Sequence, residues 1–209
     1  LFGFTKYILE LIEKEKPTHL AIAFDPPGGT FRHEMYPEYK GTRSETPQLV
    51  IDSLEPLCDL CKAMDIPVLM VRGFEADDVI GTLAHHADSL GIETFMMTPD
   101  KDYGQLVTEH IRMYRPAVGK NEAEILGPHE VKTKWGLSNP TQVIDMLGLM
   151  GDAVDNIPGC PGVGEKTAAK LIQQFGSIEE LLQRTGELKG ALKQKIEDNT
   201  EQIRTSKWL

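Results

Sequence analysis

Acidic residues follow each of three apolar runs that have the character of buried β-strands. Asp25 ends the first run, residues 19–24, and further acids follow the second run, residues 67–71, and the third, residues 92–98. A fourth acidic segment comes after an apolar helix that ends near Met150. The acids in these places are Asp25, Glu75, Asp77, Asp78, Asp100, Asp102, Asp152 and Asp155. Because the carboxyl ends of parallel strands lie at one edge of a sheet, we expect these acids to converge there.

Carboxylates gathered in one cleft repel each other, and some take up protons unless cations neutralise them. Oxygen-only ligands suit Mg²⁺ or Mn²⁺, and no His and Cys cluster in the sequence favours zinc instead. Two such ions, about 4 Å apart, activate water and stabilise the leaving oxygen of a phosphodiester. Taken alone, each acid also has a local explanation as a helix cap, a first-turn residue or a turn residue. The functional interpretation therefore depends on their convergence.

The elements that must position these acids alternate between strand and helix, which is typical of parallel βαβ units. Apart from the three strands, the patterns predict helices over residues 4–16, 48–64 and 79–90 and a fourth strand over residues 111–114. Past residue 127, Gly and Pro divide the sequence into short helices. We therefore predict an α/β fold with a parallel-type central sheet covered by helices in residues 1–126, and a helical subdomain in residues 127–209.

Composition limits the function classes. The 209 residues are 40% hydrophobic and 26% charged, which is ordinary for a globular protein. The formal net charge is -10, which argues against nucleic-acid binding through bulk positive charge alone. We expect neither a membrane span nor a signal peptide, because the sequence has no long apolar run and residues 1–10 lack a basic region followed by an apolar core. Its 3 cysteines make no disulfide framework, which indicates a reducing compartment.

A glycine-rich segment over residues 157–170 predicts a local phosphate-binding site. Gly162 and Gly164 permit tight turns, and the helix that opens near residues 165–167 would point free N–H groups at a phosphate. Lys166 adds positive charge, and Thr167 lies in the first helical turn. The pattern looks like a helix-hairpin-helix that binds the DNA backbone without reading sequence. The structural alternative is a plain turn between two helices.

Residues 26–46 have no clear period, and we interpret them as a long loop or a helical arch. Arg32, Lys40 and Arg43 can neutralise phosphates, while Tyr36 and Tyr39 can stack on bases. The alternative is a solvated loop with ordinary charges. Its position directly after Asp25 favours the functional interpretation.

Five motifs occur in an order that resembles a known family. They are Phe24-Asp25 with Phe31-Arg32-His33-Glu34 and Tyr39-Lys40, Glu75-Ala76-Asp77-Asp78, Thr98-Pro99-Asp100-Lys101-Asp102, Gly151-Asp152 with Asp155-Asn156-Ile157-Pro158-Gly159, and Gly162-Val163-Gly164-Glu165-Lys166-Thr167. Together they resemble the 5′–3′ exonuclease domain of bacterial DNA polymerase I, within the flap endonuclease family. The resemblance covers nearly the whole chain.

The resemblance implies a structure-specific, divalent-metal nuclease that cuts 5′ flaps and removes RNA primers at nicks in DNA. It implies one metal at Asp25, Glu75 and Asp77 and a second at Asp100, Asp102 and Asp155, with Asp78 and Asp152 assisting. It further implies that Arg32 and Lys40 contact the scissile phosphate and that residues 162–167 hold duplex DNA, often with a monovalent cation. The resemblance also implies a monomeric protein of the bacterial cytoplasm, close to the nucleoid, with polymerase domains on the same parent chain and no membrane partner.

Two other interpretations stay open at this point. The family begins with a strand that carries an early Asp ligand, and the sequence here opens at the following helix, so we expect that strand, and a stretch after Leu209, to be missing. A catalytically incomplete DNA-binding fragment is therefore the first alternative. The second is a Mg²⁺-dependent phosphatase with Asp25 as its nucleophile, which expects an acid where Pro27 stands and leaves the hairpin unexplained.

Overall fold

The computed structural model describes residues 1–117 and 122–209 of the chain, as helices and short strands. The helices are α1 (Phe2–Glu15), α2 (Phe31–Met35), α3 (Gln48–Ala63), α4 (Ala76–Ser89), α5 (Pro128–Trp135), α6 (Gln142–Met150), α7 (Glu165–Phe175), α8 (Ile178–Gln183), α9 (Gly190–Asp198) and α10 (Thr200–Trp208). The strands are β1 (Ile22–Ala23), β2 (Val68–Leu69), β3 (Thr94–Met97), β4 (Ile111–Arg115) and β5 (Glu124–Leu126). Short 3₁₀ helices cover Lys101–Leu106 and Thr185–Glu187.

The described residues form two compact units. The first comprises residues 1–31 and 44–79, and the second comprises residues 32–43 and 80–209. In the first unit β1 and β2 pair in parallel, with Ile22 opposite Val68. Ile8, Cys61 and Ile66 are its buried apolar side chains, so helices α1 and α3 cover this small sheet.

The second unit is built on a three-stranded sheet and the helices that follow it. Strand β4 pairs in parallel with β3 and antiparallel with β5. The side chains of Ile111 and Met113 on β4 are fully buried, because the face of the sheet that they share packs into the apolar core of the unit. The same apolar core continues through Val143, Ile172 and Ile203 of the C-terminal helices.

Helices α6, α8 and α10 are joined around one buried carboxylate. Asp145 of α6 accepts a hydrogen bond of 2.9 Å from the N–H of Ile178 at the start of α8. Its carboxylate is also 2.6 Å from the ammonium of Lys207 on α10, which in turn contacts Glu179 at 2.7 Å. A buried charge that is both paired and hydrogen-bonded fixes the helices that supply its partners. The acidic loop that follows α6 therefore starts from a helix whose position is fixed by its contacts with α8 and α10.

The observed fold confirms the predicted mixed α/β class, and it differs from the sequence prediction in detail. Strands pair in two separate sheets rather than one, and the first two strands pair over two residues each, not over the whole apolar runs. An apolar segment predicts that its residues are buried. It does not predict which of them pair with another strand, because pairing depends on contacts between segments that are distant in sequence. Helix α4 starts at Ala76, three residues before the predicted start, because the Asp78 and Asp25 carboxylates accept the N–H groups of Glu75 and Ala76. Strand β5 has no apolar pattern and was not predicted.

No helix within residues 1–117 and 122–209 combines the length and the apolar character that crossing a bilayer requires.

Candidate metal centre and nucleic-acid interface

In the first unit, the ends of both strands deliver acids to the start of α4. Asp25 follows β1, and its Oδ1 accepts a hydrogen bond of 2.7 Å from the N–H of Ala76. Asp78 accepts one of 2.9 Å from the N–H of Glu75, and the Glu75 side chain is only 6% exposed. The start of α4 is therefore capped both locally, by Asp78, and by Asp25 from the end of the other strand.

Asp77 occupies the first turn of α4 beside this group and is exposed. The segment 75–78 and Asp25 therefore form one acidic edge in the first unit, as the strand-end argument predicts. We name this edge, Asp25 with Glu75, Asp77 and Asp78, the first acidic group.

In the second unit, the end of β3 meets the loop after α6. Asp100 caps the 3₁₀ helix by accepting a 3.0 Å hydrogen bond from the N–H of Asp102. Lys101, between these two acids, reaches the loop, with Nζ at 2.5 Å from Asp152 Oδ2 and at 3.2 Å from Asp102 Oδ1. Asp152 itself accepts hydrogen bonds from the N–H groups of Val154 and Asp155. We name Asp100, Asp102, Asp152 and Asp155 the second acidic group.

The two end residues of the loop 152–157 are hydrogen-bonded to each other. Asp152 and Ile157 exchange two backbone hydrogen bonds, 2.9 and 2.7 Å long. Gly151 and Gly159 lie backbone against backbone, each with positive φ, and a methyl group on either would overlap the main chain of the other. The loop that carries Asp152 and Asp155 is therefore held in one shape by glycines that admit no side chain.

Electrostatics in the second acidic group follow from burial and from Lys101. Burial, together with the negative charge of Asp100, raises the pKa of the Asp102 carboxyl to about 6, although Lys101 opposes the rise. Burial also acts to raise the pKa of Asp152, but the hydrogen bonds from Lys101 and the Val154 N–H outweigh it and lower that pKa. A carboxylate that burial and a like charge leave unfavourably ionised gains from any nearby cation.

By their chemistry, the donors in this group suit a hard divalent cation. They are carboxylate oxygens only, and Asp102 Oδ1 is buried with no hydrogen-bond donor among the described residues, its one close cation being Lys101. The Lys101 ammonium already stands where positive charge is required, between two acids. Across residues 1–117 and 122–209, no three His, Cys, Asp or Glu side chains are placed to hold one ion together. The metal-binding role of each acid therefore stays a prediction.

The segment 32–43, which belongs to the second unit, is attached to Asp155 and Asn156. The Lys40 N–H donates to the Asp155 carbonyl oxygen at 2.9 Å, and Lys40 Nζ is 3.8 Å from the Asp155 carboxylate. Arg43 forms an ion pair with the same carboxylate. Two of the basic residues predicted to contact phosphate thus contact a predicted metal ligand. Arg32 donates from Nε to the carbonyl oxygen of Leu209 at 2.7 Å.

One expectation for this segment is wrong. Tyr39 is 4% exposed, packs edge-on against His33 and lies 3.4 Å from the Asp155 carboxylate through its hydroxyl, so its ring is not available to stack on a base. A tyrosine has an apolar ring and a polar hydroxyl, so its residue type suits both base stacking and burial beside a carboxylate. Only the packing in the structure distinguishes these two roles. The regular structure in residues 26–46 is the short helix α2.

Sequence reasoning missed Asn156. Its side-chain amide donates to the Glu38 carbonyl oxygen at 2.7 Å, beside the Lys40 bond to Asp155. Its φ of 57° lies in the left-handed region, which Asn tolerates better than most residues. The signal for it was its place directly after Asp155 in a turn that favours Asn.

Replacing Asn156 with Gly should loosen residues 38–43, because Gly keeps the left-handed backbone and removes the bond to Glu38. Loss of this hydrogen bond should lower the free energy of local opening of residues 38–43 by about 1 kcal/mol, which corresponds to about fivefold more frequent opening. Limited trypsin digestion measures this as about fivefold faster cleavage after Lys40 and Arg43. Asn139→Gly, at an exposed Asn that caps a turn through Thr141, is the matched control. Equal acceleration in both variants would show that Asn156 does not hold the segment.

The predicted hairpin is present in the second unit. Gly162 has a φ of 78°, and Gly164 caps α7 with open space around its Cα. Lys166 is exposed in the first turn of α7, and the Thr167 N–H bonds back to the Gly164 carbonyl oxygen at 2.9 Å. Gly164, Glu165 and Lys166 are exposed at the start of α7, where the first N–H groups of a helix have no partner within the helix and can bind a phosphate.

Helix α10 holds this hairpin to the acidic loop. Gly159 donates from its N–H to Ser206 Oγ at 3.0 Å, and Gln202 donates to the Gly159 carbonyl oxygen at 2.8 Å. Since Gly159 also abuts Gly151, the hairpin and the loop of residues 152–157 share one anchored residue.

Comparison with known proteins agrees with these features along the chain. The family profile described as 5′-3′ exonuclease, N-terminal resolvase-like domain, matches residues 1–136. A second profile, 5′-3′ exonuclease, C-terminal SAM fold, matches residues 138–209.

Relatives and solved structures extend the match. DNA polymerase I of Bacillus subtilis (strain 168) is 44% identical over 210 residues, which cover 100% of this chain and 24% of that protein. The chain thus spans about a quarter of the length of such relatives. A structure of T5 5′-exonuclease with bound zinc superposes with a TM-score of 0.84 at 22% identity, covering 98% of this chain and 78% of the other.

The catalytic core of Rad2 in complex with DNA superposes with a TM-score of 0.63 at 18% identity, covering 98% of this chain and 67% of the other. At these identities the two structures establish the fold. The profile over residues 1–136 takes in the predicted arch segment and the acids at the strand ends, and the second profile takes in the loop of residues 152–157 and the hairpin. On that evidence, the chain belongs to the 5′-3′ exonuclease family.

Proposed function

We propose that the chain carries a divalent-metal-dependent nuclease that hydrolyses phosphodiesters at 5′ ends and 5′ flaps of DNA. The observation that carries the proposal is the second acidic group, in which Asp102 and Asp152, acids from two distant segments, share one half-buried cation, the Lys101 ammonium. Membership of the 5′-3′ exonuclease family and the hairpin at the start of α7 support it.

In this proposal the ions are Mg²⁺ or Mn²⁺, which prefer carboxylate oxygens. Asp25, Glu75 and Asp77 hold one ion, with Asp78 assisting. Asp100, Asp102 and Asp155 hold the other, with Asp152 assisting. Bound there, such ions activate water and stabilise the leaving oxygen. Lys101 and the hydrogen-bonded loop of residues 152–157 hold the acids of the second group close together when no metal is bound.

The basic residues bind and orient DNA in this proposal. Arg32 and Lys40 contact the scissile phosphate, and Arg43 contacts the strand nearby. Lys40 and Arg43 leave Asp155 when the phosphate arrives, because one cation cannot neutralise both groups fully. Gly162, Gly164, Lys166 and Thr167 hold the duplex backbone through helix N-terminal N–H groups, and a monovalent cation can sit in the hairpin.

The biological setting is part of the proposal. The substrates are nicked, flapped or branched DNA and RNA primer strands, and the task is primer and flap removal in replication and repair. The relatives are DNA polymerase I proteins about four times as long as this chain, so polymerase domains on the same parent chain are proposed as well. We further propose that the protein acts as a monomer in the bacterial cytoplasm.

A 5′-flap cleavage assay tests the activity. The natural full-length protein should release the flap with Mg²⁺ present, and a chain of residues 1–209 alone is compared with it. Binding without cleavage by both proteins would support the alternative, a catalytically incomplete DNA-binding module. That alternative is favoured by one finding, the lack of any three-ligand metal group in residues 1–117 and 122–209.

Removing the charge of Lys166 should weaken DNA binding to the same degree for every sequence. The hairpin contacts phosphate only, so loss of one cation removes one counterion-release event. For Lys166→Ala we expect a several-fold higher dissociation constant at low salt and a slope against log salt shallower by about one unit. Lys62→Ala, at an exposed lysine on α3, is the control. Unchanged affinity at both low and high salt would remove Lys166 from the interface.

A further inference from the structure

The position of Lys101 is unusual for a lysine. It lies between two acids in the first turn of a 3₁₀ helix, and its partly exposed side chain reaches the loop after α6. Its Nζ is 2.5 Å from Asp152 Oδ2 and 3.2 Å from Asp102 Oδ1, and the Asp152 side chain is only 15% exposed. One ammonium therefore bridges two carboxylates that are 50 residues apart in sequence.

We propose that Lys101 is a built-in counter-ion that fills the second acidic group when no metal is bound, and that it must leave Asp152 before a divalent ion enters. This inference rests on the proposed function, because it requires that the group binds metal. Two carboxylates in a half-buried cleft repel each other, and a single cation between them offsets that repulsion. A divalent ion performs the same task with twice the charge, and two cations cannot share the position.

The lysine side chain suits this role. Its ammonium sits on a flexible stem with four carbons, so it can swing out without backbone movement. Lys101 is 35% exposed, which gives the ammonium an exit to solvent. Arg would contact the carboxylates through a rigid fork and leave less readily.

Lys101 should lower the affinity for divalent ions and raise the stability of the metal-free protein. Because Lys101 competes with metal, the affinity for divalent ions is lower than the carboxylates alone would give. Because it neutralises the acids, the metal-free protein is more stable than it would be without the ammonium. A lysine that served only to contact DNA phosphate would produce neither effect in the absence of DNA.

The test uses Lys101→Met in the natural full-length protein without DNA. Mn²⁺ binding, followed by electron paramagnetic resonance of the free ion, should show about tenfold tighter affinity at the site that Asp152→Asn weakens. The metal-free variant should unfold at a lower denaturant concentration than wild type, and saturating Mn²⁺ should restore more stability to it than to wild type. Metal sites elsewhere in the protein contribute equally to both proteins.

Further variants control the result. Lys101→Gln, which keeps hydrogen bonding without charge, gives a second neutral side chain if Met disturbs folding, and it should tighten Mn²⁺ binding in the same direction. Lys193→Met removes an exposed lysine paired with Glu197 at 3.8 Å and should leave Mn²⁺ affinity unchanged.

Unchanged or weaker Mn²⁺ affinity in both Lys101 variants would overturn the counter-ion inference. That result is distinct from failure of the proposed function. If wild type had no Mn²⁺ site that either Asp102→Asn or Asp152→Asn weakens, the metal centre itself would be disproved, and the inference with it.

Discussion

Replacing Asp155 with Ala is expected to lower the rate of 5′-flap cleavage by at least about 10³-fold while DNA binding persists. The proposed metal ion loses a charged ligand, and no neighbouring residue can replace it, because the loop of residues 152–157 is closed at both ends. DNA binding should persist because the hairpin proposed to hold the duplex is a separate segment. Single-turnover cleavage and equilibrium binding, measured on the same substrate, separate the two effects.

Two further variants show whether the loss of activity comes from the missing carboxylate charge. Asp155 also pairs with Arg43, so loss of activity could come from a loosened segment 32–43. Asp155→Asn keeps the size and hydrogen bonding of the side chain and removes its charge, and it should be nearly as inactive as Asp155→Ala. Asp198→Ala, at an exposed Asp that bonds only to Gln194 among the described contacts, should cleave normally. Full cleavage by Asp155→Asn would show that the carboxylate charge has no part in catalysis.

Removing divalent ions should abolish cleavage, by at least about 10⁴-fold, and adding Mg²⁺ or Mn²⁺ should restore it. With two ions required, the cleavage rate at low metal concentration should rise more steeply than the first power of that concentration. Asp100→Ala should shift this dependence to higher metal concentration, since Asp100 belongs to the second acidic group. The assay contains no nucleotides, so that only the nuclease is measured.

DNA binding provides the control for metal removal. In a chelator the protein should still bind the flap substrate through its hairpin and basic residues, with a salt dependence like that in metal. Cleavage that continues in excess chelator would contradict a metal mechanism, while binding that vanishes with metal would place the ions in DNA recognition instead.

The strand-end argument correctly anticipated local neighbours. Asp25 contacts the start of α4 because β1 and β2 run parallel, so their carboxyl ends meet. The same argument brought Asp100 and Asp102 to the end of β3, and the glycine pattern placed the start of α7 correctly. These features depend on short-range periodicity and on rules of sheet topology, which a single sequence carries.

Long-range contacts were beyond the same reasoning. Burial of Tyr39, the Asn156 bond to Glu38 and the bridge made by Lys101 each join segments that are far apart in sequence. A lysine between two acids has the same local pattern whether it faces solvent or a distant carboxylate. The division into residues 1–126 and 127–209 also stays a prediction, since composition alone marks that boundary.

Backbone packing gives the acidic loop of residues 152–157 and the hairpin proposed to bind DNA a common anchor. Gly159 touches Gly151 at the base of the acidic loop and is hydrogen-bonded to Ser206 on α10. Five residues later, Gly164 caps α7. In the proposed nuclease, the distance from the held duplex to the second acidic group is therefore set by main-chain contact rather than by flexible side chains.

The most direct test of the central claim is a crystal structure of the natural full-length protein grown with Mn²⁺, examined by anomalous scattering. The account predicts one Mn²⁺ peak bound by Asp25, Glu75 and Asp77 and another by Asp100, Asp102 and Asp155, at ligand distances of about 2.2 Å. It also predicts that Lys101 Nζ has moved away from Asp152. Anomalous density at neither acidic group, with Lys101 still bridging Asp102 and Asp152, would contradict it.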